Sequence, residues 1–540
     1  MMRRKNAYAF LMIGLMIALL TSVCSSGYVT PASLTATAGA NLTPNTPLPT
    51  AFFSEPTLAP TDPPPTDEPD LDAEANISFS PTPTFPLPTV TPTATAEIFS
   101  PEQPPLLYYT QAGDTLQNLT MRFGVAEQEI VSDDSVLEAG FLNPDQMLMI
   151  PLRLVNTTPS EKIMPDSEVV DSPSTINYDP VTYINTIGGY LSTYREYLGS
   201  SGWNTGAEMV ERVALENSIN PRLLLSLLEY QSGWVLGQPH SFSSTDYPLG
   251  KIDFDRQGLH SQLVWAVNQL SIGYYGWRDG SLTDLTFPDG THLRLAPELN
   301  AGTVAVMYYF SQVYNLEQWF QAVDPATGLL ALHTTMFSDP WVRAQTVEPL
   351  FPPELEQPPL ILPFLIGQRW SYTGGPHGAW EHDGAQAALD FAPGSIESGC
   401  VPSDLWVTAV APGIVVRKDK GVVVLDLDGD GYEQTGWVIL YLHVTDTERV
   451  EIGSWLDKSD FIGHPSCEGG ISTGTHVHIA RKYNGEWMAA DGPIPFVLSG
   501  WEAHSSGEPY EGTLTRGEET VPASIYGTAE TKILRYEDDP

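Results

Sequence analysis

The stretch Ser472–Lys482, STGTHVHIARK, carries two histidines one residue apart among small and β-branched residues. This composition favours a β-strand, in which residues two apart project to the same face. His476 and His478 would therefore lie side by side, as a metal ligand and a neighbouring acid or base require. An ordinary exposed strand in an acidic protein is the alternative, and the surrounding sequence has to decide between the two.

The surrounding segment, residues 360–501, has short runs rich in Val, Ile and Trp that are separated by turns such as APG, DKG and GDG. This pattern predicts an antiparallel sheet, which holds side chains rigidly even when they are far apart in sequence. Three more candidates for metal binding or acid–base chemistry lie on it: His377 in GGPHGAW, Asp390 in AALDFAP and His443 in LYLHV. Catalytic zinc takes three protein ligands and keeps one position open for water, so the five residues suffice for a metal and its catalytic partners.

The segment is similar to zinc metallopeptidases of the M23 family, the lysostaphin-like and β-lytic peptidoglycan endopeptidases. Their second motif matches Ser472–His478. Their first motif is usually His-x-x-x-Asp, but Gln386 stands four residues before Asp390 in this chain. The β-lytic form has a histidine farther upstream in a Gly-Gly-x-His context, and Gly374–His377 fits that form. The resemblance implies a mainly antiparallel β peptidase domain.

The resemblance also implies a role for each residue. The expected Zn²⁺ ligands are His377, Asp390 and His478. The residues expected to polarise the attacked carbonyl and stabilise the tetrahedral oxyanion are His443 and His476. His382 in AWEHDGA could replace His377 as a ligand. The implied reaction is hydrolysis of a peptide bond in peptidoglycan stem peptides or cross-bridges by zinc-activated water.

The chain has only three cysteines, and two of them, Cys400 and Cys467, lie between the first and last motifs. A single pair in an exported chain suggests one disulfide, with two free thiols as the alternative. In the chain-entropy model such a bridge stabilises the fold by roughly 4 kcal/mol. It would join loops at the rim of the site.

An acidic turn, DLDGDGYE, places Asp426, Asp428 and Asp430 at the spacing of a calcium loop. Trp437 stands where an EF-hand has its twelfth-position glutamate, and the turn joins strands rather than helices. A plain acidic hairpin turn is the favoured interpretation, with calcium binding as the alternative.

The composition bounds the partners and the location. The chain has 540 residues, too many for one core, and its net charge of -41 disfavours binding to a nucleic acid. A basic start precedes a short apolar run over residues 7–20, which is typical of an export signal. Cys24 follows it at a position that resembles the lipidated cysteine of bacterial lipoproteins. Lipid anchoring, cleavage to a secreted form and an uncleaved anchor over residues 1–25 stay open, and all three place the protein outside the cytoplasm, with the membrane contacted only through this anchor.

Residues 26–105 are rich in Pro and Thr and are expected to form a disordered stalk. Residues 106–152 resemble a LysM module, a βααβ unit that binds glycans containing N-acetylglucosamine. The resemblance is carried by Tyr109, Gly113–Leu116, Phe123, Val125 and Asn143–Pro151. A βααβ spacer without a ligand is the alternative. A polar linker is expected over residues 153–179.

Residues 180–345 have apolar residues at helical spacing and resemble the lysozyme-like domain of lytic transglycosylases. Gln231 stands where that family has its catalytic glutamate, and an amide has no proton to donate to a glycosidic oxygen. Glu229 lies two residues earlier, on roughly the opposite face of a helix. A non-catalytic role in glycan binding or structure is therefore favoured over glycan cleavage. Residues 502–540 are expected to form a C-terminal extension without an assigned role.

The sequence thus predicts a multidomain, extracytoplasmic protein of the cell envelope with a LysM module, a mainly α lysozyme-like domain and a mainly antiparallel β M23 domain. The expected activity is that of a zinc metalloendopeptidase on peptidoglycan. A non-catalytic peptidoglycan-binding scaffold or hydrolase activator is one alternative. A bifunctional enzyme that also cleaves glycan through Glu229 is another.

Overall fold

The computed structural model describes residues 105–132, 140–380, 383–394 and 399–539. The expected signal with Cys24, the stalk and the alternative ligand His382 lie outside the described residues. Within the described ranges, no helix combines the length and apolarity needed to cross a membrane.

The first described module has one helix between two paired strands. Strand β1 (Leu106–Tyr109) runs antiparallel to β2 (Met147–Ile150), and α1 (Leu116–Phe123) packs on them. Thr115 caps the start of α1, and Gly124 ends it with a φ of 64°, a conformation that glycine adopts without strain. These elements correspond to the first, second and last elements of the predicted βααβ unit, whereas most of the segment expected to hold the second helix lies outside the described residues.

The segment 153–179 is packed into the protein, so the prediction of a linker is wrong. Ile163, Met164, Val169 and Val170 are buried in the core of the helical region. The backbone N–H of Ile163 donates to Thr303 Oγ1 at 2.9 Å. A few apolar residues with satisfied polar neighbours were enough to dock a segment whose average composition is polar.

The next region is mainly helical, with two small hairpins. Its helices are α2 (Pro180–Ile187), α3 (Tyr190–Thr193), α4 (Gly206–Asn217), α5 (Pro221–Ser232), α6 (Phe242–Asp246), α7 (Leu259–Asp279), α8 (Ala301–Ser311), α9 (Leu316–Ala322), α10 (Leu329–Phe337) and α11 (Pro340–Ala344). Its hairpins are β3 (Arg195–Leu198) with β4 (Gly202–Thr205), and β5 (Asp284–Thr286) with β6 (His292–Arg294). As the sequence predicted, α5 starts at Pro221 after an Asn220 cap, whose side chain accepts from the Arg222 N–H.

The last region is built on a large antiparallel sheet. Its main strands are β7 (Arg369–His377), β8 (Ala388–Pro393), β10 (Gly413–Asp419), β11 (Val422–Asp426), β12 (Trp437–Leu442), β13 (Trp455–Leu456), β15 (Val477–Tyr483), β16 (Glu486–Trp487) and β21 (Lys532–Leu534). Their order is β13-β10-β11-β12-β15-β8-β7-β21, with β16 paired to β15. Strands β9 (Val407–Thr408) and β14 (Phe461–Gly463) pair separately.

The C-terminal residues belong to this region, so the predicted boundary at residue 501 is wrong. Strands β17 (Val497–Leu498), β18 (Trp501–Ser505), β19 (Gly512–Arg516) and β20 (Glu519–Pro522) form a four-stranded sheet that crosses that boundary. Strand β21 then pairs with β7 at the edge of the main sheet. Leu514 and Ile533 are buried in the same core as one face of the main sheet.

Both faces of the main sheet are covered. Val424, Leu440 and Ala480 pack into one core with the helical region, and alternate residues such as Val423 and Ile439 pack into a second core on the other face. The strands are therefore apolar on both faces and read as continuous runs rather than as alternating patterns.

Arg278 near the end of α7 joins the regions through buried polar contacts. Its Nε lies 2.9 Å from Glu486 Oε1, and its Nη2 lies 2.9 Å from Asp166 Oδ2. Its Nη1 also donates to the carbonyl of Ala112 in the first module. The described regions consequently pack as one compact unit rather than as modules on linkers.

Candidate metal site

The register of three neighbouring strands brings the candidate ligands together. Asp390 on β8 lies directly opposite His478 on β15 and, on its other side, opposite Gly374 on β7. His377 ends β7 after two irregularities in its pairing with β8. The site thus lies on the sheet itself, at the end of β7, with two of its three candidate ligands directly paired across strands.

The side chains of these residues converge on one point. Asp390 Oδ1 lies 3.3 Å from His377 Nε2 and 3.2 Å from His478 Nδ1. The two ring nitrogens are 2.9 Å apart. The two histidines and the aspartate are buried, and they form a group whose ligand atoms lie close enough together to hold one metal ion.

Backbone carbonyls fix which ring nitrogens carry hydrogen. His377 Nδ1 lies 2.8 Å from the carbonyl of Gly375, and His478 Nε2 lies 3.0 Å from that of Ala379. A carbonyl can only accept, so each of these nitrogens donates. In the neutral rings, His377 Nε2 and His478 Nδ1 therefore present lone pairs toward each other and toward Asp390.

This arrangement fits a bound cation. Asp390 Oδ1 is buried and receives no hydrogen bond from the described residues. Three acceptor atoms without a donor between them are stable only around a positive charge, and two imidazoles with a carboxylate form a donor set that zinc commonly takes. When His377 and His476 carry a proton instead, their positive charges outweigh the burial that opposes ionisation and hold the pKa of Asp390 well below the usual range.

The two other candidate histidines lie beside this group. Asp390 Oδ1 is 3.6 Å from His476 Nε2, and the rings of His443 and His476 have centroids 4.5 Å apart. His443 Nδ1 donates to the carbonyl of Glu468 at 2.9 Å, and His476 Nδ1 donates to that of Gly474 at 2.8 Å. The Nε2 atom of each neutral ring is consequently an acceptor.

His443 is held neutral by its surroundings. Burial, and then the charges of His476 and His478, lower the pKa of His443 to about 3. Its backbone has a φ of 67°, in the left-handed region that residues with a side chain rarely adopt. The turn that follows β12 holds it there, because the carbonyl of His443 accepts from the Ser466 N–H at 2.7 Å.

Steric packing explains the two glycines of GGPH. A Cβ on Gly374 would lie 2.4 Å from Asp390 Oδ2, and one on Gly375 would lie 2.4 Å from the carbonyl oxygen of Glu511. The first glycine therefore makes room for the candidate ligand. The second lets the C-terminal region approach β7.

Tyr510 is a site residue that sequence reasoning missed. Its ring stacks on His377 with centroids 4.1 Å apart and planes inclined by 23°. Its carbonyl accepts from the Gly375 N–H at 2.8 Å. No motif in the sequence marks Tyr510, which lies in the segment predicted to be a C-terminal extension without an assigned role.

Cys400 and Cys467 form a disulfide with a Cα–Cα distance of 5.5 Å. Cys400 is exposed and Cys467 is half-buried. The bridge joins the loop after β8 to the loop before β15, next to the candidate histidines.

Glu229, the doubtful glycosidase acid, and its neighbour Gln231 both have structural partners at the end of α5. Glu229 Oε2 accepts from the backbone N–H groups of Val235 and Leu236 at 2.9 and 2.8 Å. Gln231 Oε1 accepts from the Tyr314 hydroxyl at 2.6 Å. Glu229 thus closes the turn after α5, and the predicted non-catalytic role, like its alternative of glycan cleavage through Glu229, stays untested.

The three acidic residues of the DLDGDG turn also lie close enough together to hold a cation. Asp426 is buried and accepts from the Gly431 N–H at 2.8 Å, whereas Asp428 and Asp430 are exposed. Burial and the neighbouring Asp428 raise the pKa of Asp426 to about 6, although backbone hydrogen bonds oppose this. The plain acidic turn and its alternative, calcium binding, both stay untested predictions.

Comparison with known proteins gives matches to both the helical and the sheet regions. A family model described as the LasA N-terminal domain matches residues 162–350. Protease LasA of Pseudomonas aeruginosa is 24% identical over 297 residues, which cover 53% of this chain and 68% of that protein. Beta-lytic metalloendopeptidase of Achromobacter lyticus is 26% identical over 164 residues, which cover 29% of this chain and 41% of that protein.

Among solved structures, the M23 metalloprotease pseudoalterin is 22% identical, with a TM-score of 0.26 over 30% of this chain and 94% of that one. The predicted similarity to β-lytic peptidases is supported by protease LasA and beta-lytic metalloendopeptidase, which are themselves named as peptidases. The matched model begins inside the segment predicted as a linker, in agreement with its packing. The LysM and lysozyme-like resemblances stay predictions.

Proposed function

We propose that the chain is a zinc-dependent endopeptidase that hydrolyses peptide bonds in the stem peptides or cross-bridges of peptidoglycan. One observation carries this proposal: the acceptor atoms of His377, Asp390 and His478 face one another at a single point. The relatives named as LasA protease and beta-lytic metalloendopeptidase support the same reaction class.

His377 Nε2, His478 Nδ1 and one Asp390 oxygen would hold the zinc. When bound, zinc supplies a Lewis acid that lowers the pKa of water and polarises a carbonyl. The carbonyls of Gly375 and Ala379 keep both imidazoles in the tautomer that this requires.

His443 and His476 would move the proton and bind the developing charge. In the neutral state each presents Nε2 as an acceptor, which suits removal of a proton from the attacking water. A transferred proton makes the same nitrogen a donor that can stabilise the oxyanion or protonate the departing amine, and for His443 the developing negative charge has to offset the burial that lowers its pKa to about 3. Nε2 would therefore act first as a base and then, once it carries the proton, in the oxyanion role that the sequence predicted.

The first module would hold the enzyme on glycan strands, as the LysM resemblance implies. Arg122 anchors it to the helical region, because its Nε and Nη2 donate to the carbonyl of Trp277 at 3.2 and 2.7 Å, while Asp114 of the same module holds its Nη1 at 2.7 Å. A rigidly attached binding module raises the local concentration of the peptidase on the wall. The N-terminal export signal and stalk would place this assembly in the cell envelope.

Two substitutions test the proposal. His478→Ala should lose both zinc and turnover, whereas His443→Ala should keep zinc and lose turnover. Mass spectrometry of fragments released from defined peptidoglycan, together with metal analysis, measures both. His292→Ala, which changes an exposed histidine of a distant hairpin, is the matched control and should retain zinc and activity. Normal wall digestion by either site variant would refute the assignment.

A further inference from the structure

The Cys400–Cys467 disulfide joins two loops. One loop contacts His443 and the other contacts the residue before His476, and neither histidine belongs to the candidate metal ligands. We propose that this disulfide positions His443 and His476 for turnover, while the metal ligands are positioned without it. The inference rests on the proposed peptidase function. It assigns the positioning of His443 and His476 to the disulfide and the positioning of the metal ligands to the sheet.

One arm of the bridge holds His443. Cys467 is flanked by Ser466 and Glu468, and both neighbours contact this histidine. Ser466 donates to the His443 carbonyl through its N–H at 2.7 Å and through its hydroxyl at 3.0 Å. Glu468 supplies the carbonyl that accepts from His443 Nδ1. Moving Cys467 therefore moves the groups that fix both the backbone and the tautomer of His443.

The other arm holds the start of the strand that carries His476. The carbonyl of Gly399, next to Cys400, accepts from the Thr475 N–H at 3.1 Å, and Thr475 Oγ1 donates to the Val401 carbonyl at 2.5 Å. Thr475 directly precedes His476. The residues on either side of Cys400 thus accept hydrogen bonds from the residue just before His476.

Ser472 connects the bridge to His476 a second time. Its Oγ lies 3.3 Å from Cys467 Sγ and 3.4 Å from His476 Nδ1. It donates to the Gly474 carbonyl at 2.8 Å, the same carbonyl that accepts from His476. One cluster of contacts therefore spans the sulfur and the ring.

The metal ligands have a different support. Asp390 and His478 are paired across β8 and β15, and the carbonyls that orient His377 and His478 come from Gly375 and Ala379. Ala379 is buried in the core shared with the helical region. The sheet and this core fix these atoms, so opening of the disulfide should leave zinc affinity in place.

The position of the bridge makes turnover dependent on oxidation. Cys400 is exposed, so a dithiol reductant can reach the sulfur–sulfur bond. The dithiol gives two electrons and two protons, the bond opens to two thiols, and the reductant becomes a disulfide. The reduced chain would bind zinc but turn over slowly, which confines activity to the oxidising space outside the cell.

The test is the double variant C400S/C467S in the zinc-supplied full chain. We expect zinc content equal to wild type, kcat lower by about 100-fold and KM nearly unchanged, because small displacements of catalytic groups cost about this much. Val415→Ala, a buried change in β10, controls for stability and should keep kcat below its unfolding temperature. Wild-type kcat in the cysteine variant, or loss of its zinc, would overturn the proposal.

A second readout separates this inference from the proposed function. Nitrogen NMR of labelled histidines reports the tautomer of each ring. In wild type, His443 and His476 should each show a hydrogen on Nδ1, and in C400S/C467S both should show a mixture of tautomers, with His377 and His478 unchanged. If wild type binds zinc but digests no wall, the peptidase proposal fails, and unchanged tautomers in the cysteine variant would independently overturn the positioning role.

Discussion

Asp390 and His478 lie directly opposite each other on neighbouring antiparallel strands, with Asp390 Oδ1 3.2 Å from His478 Nδ1. Side chains opposite each other in an antiparallel pair share a face and lie close together. The sheet register therefore builds two thirds of the candidate ligand set before any loop contributes. This explains why a site whose residues are 88 positions apart in sequence can be rigid.

Gly374→Ala should damage the metal site through Asp390. Its Cβ would lie 2.4 Å from Asp390 Oδ2, so the carboxylate must move. We expect loss of zinc and destabilisation by about 1–3 kcal/mol, measured by metal analysis and urea unfolding. Gly394→Ala is the matched control, since a Cβ there meets no atom of the described residues within 4 Å. Equal zinc content in both variants would contradict the steric account.

Tyr510→Ala should loosen His377, because it removes the ring stacked on this imidazole. We expect zinc affinity to fall by about 10-fold, as for residues that support a metal ligand. Tyr510→Phe keeps the ring and should keep the affinity. Competition with a chelator measures both variants, and equal affinities for Ala and Phe would show that the stacking has no role.

Arg278→Ala should destabilise the whole described unit, because it leaves Glu486 and Asp166 buried without their shared partner. Breaking such a buried pair costs about 3–5 kcal/mol. Lys418→Ala, which removes an ion pair with the exposed Glu451 at the surface, should cost about 0–1 kcal/mol. Denaturant unfolding measures both, and similar values would argue against Arg278 as a junction between the regions.

Glu168 should make stability depend on acid pH. Burial opposes its ionisation, but hydrogen bonds with His333 and Arg343 outweigh it and lower the pKa to about 2. A lowered carboxyl pKa stabilises the folded state above the ordinary value of 4.5, and this stabilisation is lost as the pH falls toward 2. Glu168→Gln should therefore flatten the unfolding free energy between these pH values. An unchanged slope would exclude this carboxylate as its source.

The sequence predicted the parts of the fold and of the site that short local motifs encode. The strand around His478, the antiparallel sheet and the start of α5 at Pro221 follow from local patterns, and the structure contains them. The grouping of the five site residues came from a resemblance, because nothing local indicates that Gly374 and Asp390 are opposite each other.

The parts that were missed depend on long-range packing. Ile163 and Val170 stand in a polar segment, and only the distant helices bury them. Tyr510 reaches His377 because β18 and β19 fold back on β7, which its own neighbours in sequence do not reveal. The average composition of a segment does not reveal single residues of this kind, which anchor it to distant parts of the chain.

The central claim is that His377, Asp390 and His478 hold one zinc ion. X-ray absorption at the zinc edge of the purified full chain tests it most directly. We predict one zinc per chain with two imidazole nitrogens and oxygen ligands at about 2.0–2.2 Å, and loss of this signal in His478→Ala. A chain without zinc after metal supply, or a zinc shell unchanged by His478→Ala, would contradict it.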